Sequence, residues 1–293
     1  MPIKINTPIL IIGFNRPDII KQTFEYIRKA KPKKLYIAID GPRPEKEGEE
    51  KLVEQVKQVV ENVDWSCEKH YKYNESNKGA EVTVSSAISW VFETEEYVII
   101  LEDDIVAPMA FLKFAQEMLE LYKNEDKIWA VSGINFTPLP TTDGTDYFFA
   151  KYGHTGGGWA TWKRVWDKFD LYTEVQDNHL KTNFLKTITN SGKELKYYRK
   201  KFKRIKKNGV GKSTWDNIAS YMHRTNNLLY IIPRVNLVSN IGVNGLHARG
   251  RTQYHFVEYD KNFTIKNHPK DVTCNIDYDK NHFDVYINRK SHY

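Results

Sequence analysis

Between residues 9 and 132, strand-sized apolar runs alternate with stretches of helical spacing, and this alternation narrows the folds open to the chain more than any other feature. Pro8-Ile-Leu-Ile-Ile-Gly-Phe14 is continuously apolar, the pattern of a strand buried on both faces. Pro17 and Asp18 then open a helix: proline's fixed φ suits the first turn, and an acid suits the positive end of the helix dipole. Ile20, Phe24 and Ile27 share that helix's inner face. Leu35 to Ile39 predicts a second strand, closed by Asp40-Gly41-Pro42, and Leu52, Val56, Val59 and Val60 form the stripe of a second helix. Cys67 to Tyr73 is a weaker third strand, followed by a helix carrying Ala80, Val84, Ala87, Ile88 and Val91. Tyr97 to Leu101 is the fourth strand and ends in Glu102-Asp103-Asp104. Phe111, Ala115, Met118 and Tyr122 mark another helix, and Ile128 to Ser132 a fifth strand. Strands alternating with helices of this length imply an α/β fold: a Rossmann-like, mainly parallel sheet flanked by helices.

In such sheets ligands sit beyond the carboxyl ends of the strands. That rule places Asn15-Arg16, Asp40 and Glu102-Asp103-Asp104 along one rim. Adjacent carboxylates repel and raise one another's pKa unless a cation or hydrogen-bond donors compensate. Their oxygens are hard ligands suited to Mn²⁺ or Mg²⁺, which use one or two protein carboxylates and leave positions for phosphates and water. The competing explanation is a solvated acidic turn, or a cap for the helix opening near Pro108. Arg16 suits a phosphate or a base edge, against a surface charge after a turn; Asp40 competes with a plain turn residue. Asn77-Lys78-Gly79 precedes a helix, so backbone N–H groups there, with Lys78, could hold an anion; the same tripeptide is also an ordinary helix entrance.

After Gly133 the pattern loosens. Thr155-Gly-Gly-Gly-Trp159 permits close backbone approach at Gly157, and Trp159 and Trp162 offer flat faces to a sugar, or else belong to the core. Trp215 to Met222 predicts a helix, Leu228 to Ile232 a strand stopped by Pro233, and Arg251 to Tyr293 a wrapping extension. The domain reading is one unit in two halves, 1–133 and 134–250, with 251–293 appended.

An ordered series of motifs resembles the GT-A glycosyltransferases, in particular the N-acetylglucosaminyltransferase I and protein O-mannose N-acetylglucosaminyltransferase family. It comprises FNRP at Phe14 to Pro17, IDGPR at Ile39 to Arg43, VIILEDDIVAP ending at Pro108, GGWATWKRVWDKF at Gly157 to Phe169, TWDN at Thr214 to Asn217 and IGVNGLH at Ile241 to His247. The resemblance implies a nucleotide-sugar donor, UDP-GlcNAc in the family, and Mn²⁺ or Mg²⁺ at Asp104. It implies Asp103 at the ribose, and Asn15, Arg16, Asp40 and Glu102 about the nucleotide. Gly157 and Trp159 then lie near donor sugar and acceptor. Apart from the resemblance, His247 and Arg249 in LHARG could touch the diphosphate in a closed loop, against a structural or exposed histidine. Asp216 matches the position of the family's catalytic aspartate, although the family's second acid is here Asn217. Inverting transfer needs a carboxylate opposite the leaving diphosphate to take the acceptor proton. A helix N-cap is the competing role for Asp216.

The net charge of +7 has a local origin. Lys193 to Lys207 holds nine basic residues and one acid, or +8, leaving the remainder at −1. Leu195, Tyr198, Phe202 and Ile205 recur there at helical spacing, so this basic amphipathic helix could lie on an anionic membrane or pack its stripe on the domain. A glycan or lipid-linked glycan acceptor fits the first, and no nucleic-acid partner is expected. No apolar run approaches the roughly 20 residues of a membrane span. The N-terminus carries no signal-peptide pattern, and two cysteines, Cys67 and Cys274, cannot form a disulfide framework, so a cytoplasmic protein, peripheral to the membrane at most, is expected. Among rivals, a sugar nucleotidyltransferase needs a Gly-rich loop where Gly13-Phe-Asn-Arg-Pro stands. NAD binding needs a G-x-G-x-x-G that is absent there. An inactive sugar-nucleotide binder or a basic nucleic-acid binder remains as the non-enzymatic class.

Overall fold

A computed structural model of the chain describes residues 4–139, 144–243 and 255–288. The first half comprises β1 (Ile9–Gly13), α1 (Pro17–Ala30), β2 (Lys34–Ile39), α2 (Glu49–Glu61), β3 (Glu68–Tyr73), α3 (Ala80–Val91), β4 (Tyr97–Glu102), β5 (Ile105–Val106), α4 (Met109–Leu121) and β6 (Ile128–Ser132). Beyond it come β7 (Tyr147–Ala150), β8 (Trp159–Trp162), α5 (Lys163–Trp166), α6 (Thr182–Ile188), α7 (Gly192–Asn208), α8 (Trp215–Thr225), β9 (Leu229–Pro233), β10 (Ser239–Asn240) and α9 (Ile276–His282).

One eight-stranded sheet runs through both halves in the order β3-β2-β1-β4-β8-β6-β9-β7. β1 to β4 pair parallel, β8 inserts antiparallel between β4 and β6, β9 runs parallel to β6, and β7 closes the edge antiparallel. The fold is therefore α/β with a mainly parallel sheet flanked by helices, as the alternation requires. β1, β2 and β4 are buried almost throughout, which explains their unbroken apolar runs.

Three features depart from the sequence expectations, and a fourth decides between two of them. β7 and β8 are four-residue aromatic strands bordered by glycines and polar residues, too short to show a period. On α2 the inner stripe takes Val53 while Leu52 is exposed. The C-terminal segment does not merely wrap the surface: α9 and the π-helical turn Phe283–Ile287 bury Tyr278, Asp279 and His282 completely or nearly so. Finally, Tyr198, Phe202 and Ile205 of α7 are buried against the domain, so the apolar stripe of the basic helix is core and is not available for insertion into a membrane.

The single acid of that helix explains its seating. Glu194 accepts from the Tyr152 hydroxyl at 2.7 Å and from Asn190 N–H at 2.6 Å, and pairs with Arg224 of α8 at 3.5 Å. The Arg224 guanidinium lies 4.0 Å from the Tyr152 ring centroid. A buried charge of this kind is tolerated only because it is paired and hydrogen-bonded. Among the described residues no helix is long and apolar enough to cross a membrane.

Candidate active site

Strand register brings the acid triplet to the rim. Ile12 of β1 stands opposite Glu102 of β4, and Gly13 opposite Ile39, so the chain leaves all three strands at the same edge. Arg16, the residue before α1, reaches over this edge. Its guanidinium donates from Nε to Asp103 Oδ2 at 3.1 Å, pairs with Asp103 Oδ1, and donates to Asp104 Oδ2 at 3.0 Å. One planar cation thus spans two carboxylates, with a fixed fork geometry that a lysine's point charge lacks. Burial lowers the Arg16 pKa, but Asp103 and Asp104 together more than offset it and raise the pKa overall.

Three carboxyl groups face that one guanidinium. Burial, then Asp104 and Asp103, and more weakly Asp216, push the Glu102 carboxyl well above its ordinary range against the opposing pull of Arg16. Burial likewise raises Asp103, with Arg16 opposing. The cluster is short of two positive charges when all three are ionised.

Asp104 is held from a second side. Its Oδ1 accepts from Asn240 Nδ2 at 3.2 Å, and its carbonyl accepts from Ile241 N–H at 2.9 Å. The antiparallel β5–β10 pair, with Asn240 opposite Ile105, sets this contact. Gly242 packs on the same carboxylate so closely that an added Cβ would lie 2.0 Å from Asp104 Oδ2. Asn240 and Gly242 were not singled out from sequence, although they straddle Ile241, the first residue of the IGVNGLH match.

Asp40 is at the rim but its carboxylate is saturated. It accepts from the N–H groups of Gly41, Lys78 and Gly79 and from the amides of Asn74 and Asn77, at 2.9 to 3.0 Å. The expected anion site at Asn77-Lys78-Gly79 is therefore a mount for Asp40, and Asp40 clamps the loop before α3. Asn15 donates to Glu49 at 2.9 Å, and Glu49 also takes Arg43 at 2.5 Å. Glu49, a buried acid missed in the sequence, joins the loops after β1 and β2.

The glycine-rich loop also differs in detail. A Cβ on Gly157 would lie 1.9 Å from Ile134 Cδ1, so its smallness serves packing, whereas a Cβ on Gly156 would stand 3.9 Å from Glu102 Oε1. Gly156 is the loop residue beside the carboxylates. Trp159 is 1% exposed, between Trp166 and Trp215, and offers no face to a sugar. It serves instead as the link to α8: Trp159 stands opposite Ile100 of β4, and its ring stacks on Trp215 at 5.9 Å.

Asp216 follows Trp215 in the first turn of α8. Thr214 occupies the N-cap, and Asp216 is solvent-exposed and makes no capping bond, which removes the N-cap explanation. Lys201 of α7, desolvated and lowered to about 8 despite the opposing pull of Asp216, borders it. His247 and Arg249 lie outside the described residues.

Among the described residues no group of three or more His, Cys, Asp or Glu is arranged to hold a metal ion by itself. The donor set does fit the one-or-two-carboxylate mode of a hard divalent cation in its chemistry: carboxylate oxygens, more acids than the one guanidinium balances, and burial that holds Glu102 and Asp103 above their ordinary range where a cation would relieve them.

No family model matches the chain, and no curated protein matches it. Several solved structures overlap it in part. A mannosyltransferase from Pyrobaculum calidifontis, in complex with GDP-Man and Mn²⁺, aligns with a TM-score of 0.37 and 11% identity over 63% of this chain. That alignment spans 52% of the mannosyltransferase. HddC from Yersinia pseudotuberculosis aligns at 0.34 and 11% over 56% of this chain and 80% of its own. The 4-diphosphocytidyl-2C-methyl-D-erythritol synthase of Anaerococcus prevotii aligns at 0.33 and 13% over 59% and 80%.

Proposed function

We propose that the chain is an inverting, metal-dependent glycosyltransferase that moves a sugar from a nucleotide diphosphate, a UDP-sugar such as UDP-GlcNAc, to a hydroxyl of a glycan or lipid-linked glycan. The observation that supports this most directly is a cluster of three carboxyl groups facing a single guanidinium at the β4 rim, with a separate exposed carboxylate, Asp216, on a neighbouring helix. Residues 1–133 bind the nucleotide in this scheme, and 134–250 supply acceptor contacts and the base.

Asp104 would hold Mn²⁺ or Mg²⁺, with Asp103 and Glu102 beside it. Such an ion, when bound, neutralises charge developing on the leaving diphosphate. Arg16 is the chain's own cation for the phosphates, already counterbalancing both aspartates. Asp216 accepts the acceptor's hydroxyl proton as that oxygen bonds the anomeric carbon. The bond from that carbon to the diphosphate oxygen breaks with its electron pair leaving on phosphate, and configuration inverts.

Calorimetry of UDP with Mn²⁺ and NMR of the product test the scheme. Binding is expected to require Mn²⁺ and to fail in Asp104→Ala. Asp216→Asn is expected to lower kcat about 10²- to 10⁴-fold with donor binding retained. UDP binding that survives Asp104→Ala, or retained configuration, would sink it. Pyrophosphate release from a nucleoside triphosphate and a sugar phosphate would assign a nucleotidyltransferase instead.

A further inference from the structure

The basic residues of α7 divide by their surroundings. Arg199 donates to the Leu180 carbonyl and the Thr182 hydroxyl, Lys201 to Ser220, and Lys206 pairs with Asp177. Lys193, Lys196, Lys200, Lys203 and Lys207 are all exposed, and none forms an ion pair with a described residue. Their spacing of three and four residues puts them on one stripe opposite the buried Tyr198, Phe202 and Ile205. The stripe is straight and about 21 Å long at 1.5 Å per residue. Five like charges in line repel one another, and counter-ions or an anionic partner relieve that repulsion.

At the C-terminal end of the stripe stand two exposed hydrophobic residues, Tyr172 at 60% and Val210 at 52%. Gly211, the residue after Val210, packs against the Tyr172 ring, where an added Cβ would lie 3.0 Å away. We propose that this face of α7, ending in Tyr172 and Val210, docks the protein on an anionic phospholipid bilayer. Lysine ammoniums act as point charges suited to a diffuse anionic surface; of the helix's two arginines, Arg199 is turned to protein acceptors, while the exposed Arg204 flanks the stripe and adds one further positive charge. A tyrosine beside an aliphatic residue matches the polar-apolar boundary of a bilayer, where an aromatic ring sits with one wet end. Because the apolar stripe of α7 is core, the helix rests on headgroups by charge and is anchored only at that one end.

Co-sedimentation with vesicles tests this without any turnover assay, so its outcome is separate from that of the transferase reading. The protein is expected to pellet with phosphatidylcholine vesicles containing phosphatidylglycerol, and not with phosphatidylcholine alone. Each lysine near the surface is worth about fivefold in partitioning (roughly 1 kcal/mol), so replacing all five with Gln should weaken binding at least about a hundredfold. Removing the same charge elsewhere, as K21Q/K31Q/K33Q/K46Q/K51Q, should leave it unchanged. Tyr172→Ser with Val210→Ser should abolish whatever association survives high salt. The proposal is overturned if the wild type ignores anionic vesicles, or if the two lysine sets behave alike. Salt-sensitive binding to single-stranded RNA without vesicle binding would overturn it as well.

Discussion

Five donors converge on the two carboxylate oxygens of Asp40: the N–H of its neighbour Gly41, the N–H groups of Lys78 and Gly79 in the loop before α3, and the amides of Asn74 and Asn77. An asparagine there presents an NH₂ where an oxygen accepted at least two of these bonds, leaving buried donors facing a donor. At about 1–3 kcal/mol for each buried group left unsatisfied, Asp40→Asn should cost roughly 3 kcal/mol in chemical denaturation. If Asp40 instead served the nucleotide directly, the same variant would keep its stability and lose only UDP affinity. His223 gives a pH signature of the same local kind. Its Nε2 lies 3.0 Å from the Lys151 carbonyl, and burial, then Arg224, push its pKa down to about 3. The unfolded imidazole takes a proton below about 6.5 while the folded one stays neutral, so the imidazole costs stability as pH falls through that window. Relative to His223→Gln, the wild type should lose about 3 kcal/mol of unfolding free energy between pH 7 and pH 4.5, at about 1.4 kcal/mol per unit. Raised carboxyls such as Glu102 act with the opposite sign, but they are common to both proteins and cancel in the difference.

At the scale of elements, the short β5–β10 pair matters out of proportion to its two residues per strand, because it carries Asn240 and Gly242 onto Asp104. Gly242→Ala would drive a methyl into that carboxylate, an overpacking that typically costs about 1–3 kcal/mol and here falls on the expected cation ligand. Mn²⁺-dependent UDP binding should weaken at least about tenfold (~1.4 kcal/mol), whereas Gly192→Ala, where nothing lies within 4 Å, should leave it unchanged; calorimetry on the two variants decides. No sequence period announces a two-residue strand, which is why this contact was illegible while the acid triplet was plain. Long elements with strong periods were read correctly: β1, β2, β4 and the inner faces of α1 and α4 follow from runs and stripes that only one arrangement buries. The triplet's place at the rim followed from β4 alone. What lay hidden depended on pairing between distant segments: Arg16 bridging Asp103 and Asp104, Glu49 taking Asn15 and Arg43, and Trp159 turned inward by its stack with Trp215. Tryptophan beside glycines reads equally well as a sugar platform or as core, and only the pairing of β8 between β4 and β6 resolves it.

Across the whole molecule, the two sequence halves share one sheet, because β8 from the second is threaded between β4 and β6 of the first. The C-terminal segment then closes the far side. Its polar, aperiodic sequence suggested a surface wrap, yet Tyr278, Phe283 and Tyr286 are buried, and Asp279 accepts the N–H groups of Lys151 and Tyr152 at 3.0 and 3.2 Å. Burying three such rings is worth roughly 5–9 kcal/mol on folding, at 1.5–3 kcal/mol per large side chain. Two buried N–H groups left unpartnered add about 1–3 kcal/mol each. Net stabilities of domains are only about 5–15 kcal/mol, so this segment alone commands most of the margin. A chain ended at residue 270 should therefore lose its cooperative thermal transition and bind hydrophobic dyes at room temperature. Asp279→Ala, which keeps the rings and removes only the acceptor, should retain a single transition at a lower midpoint. A truncated chain that still melted sharply near the wild-type temperature would mean that the core of β7, β9 and α8 stands without the cover of α9, and that the last segment is an appendage after all.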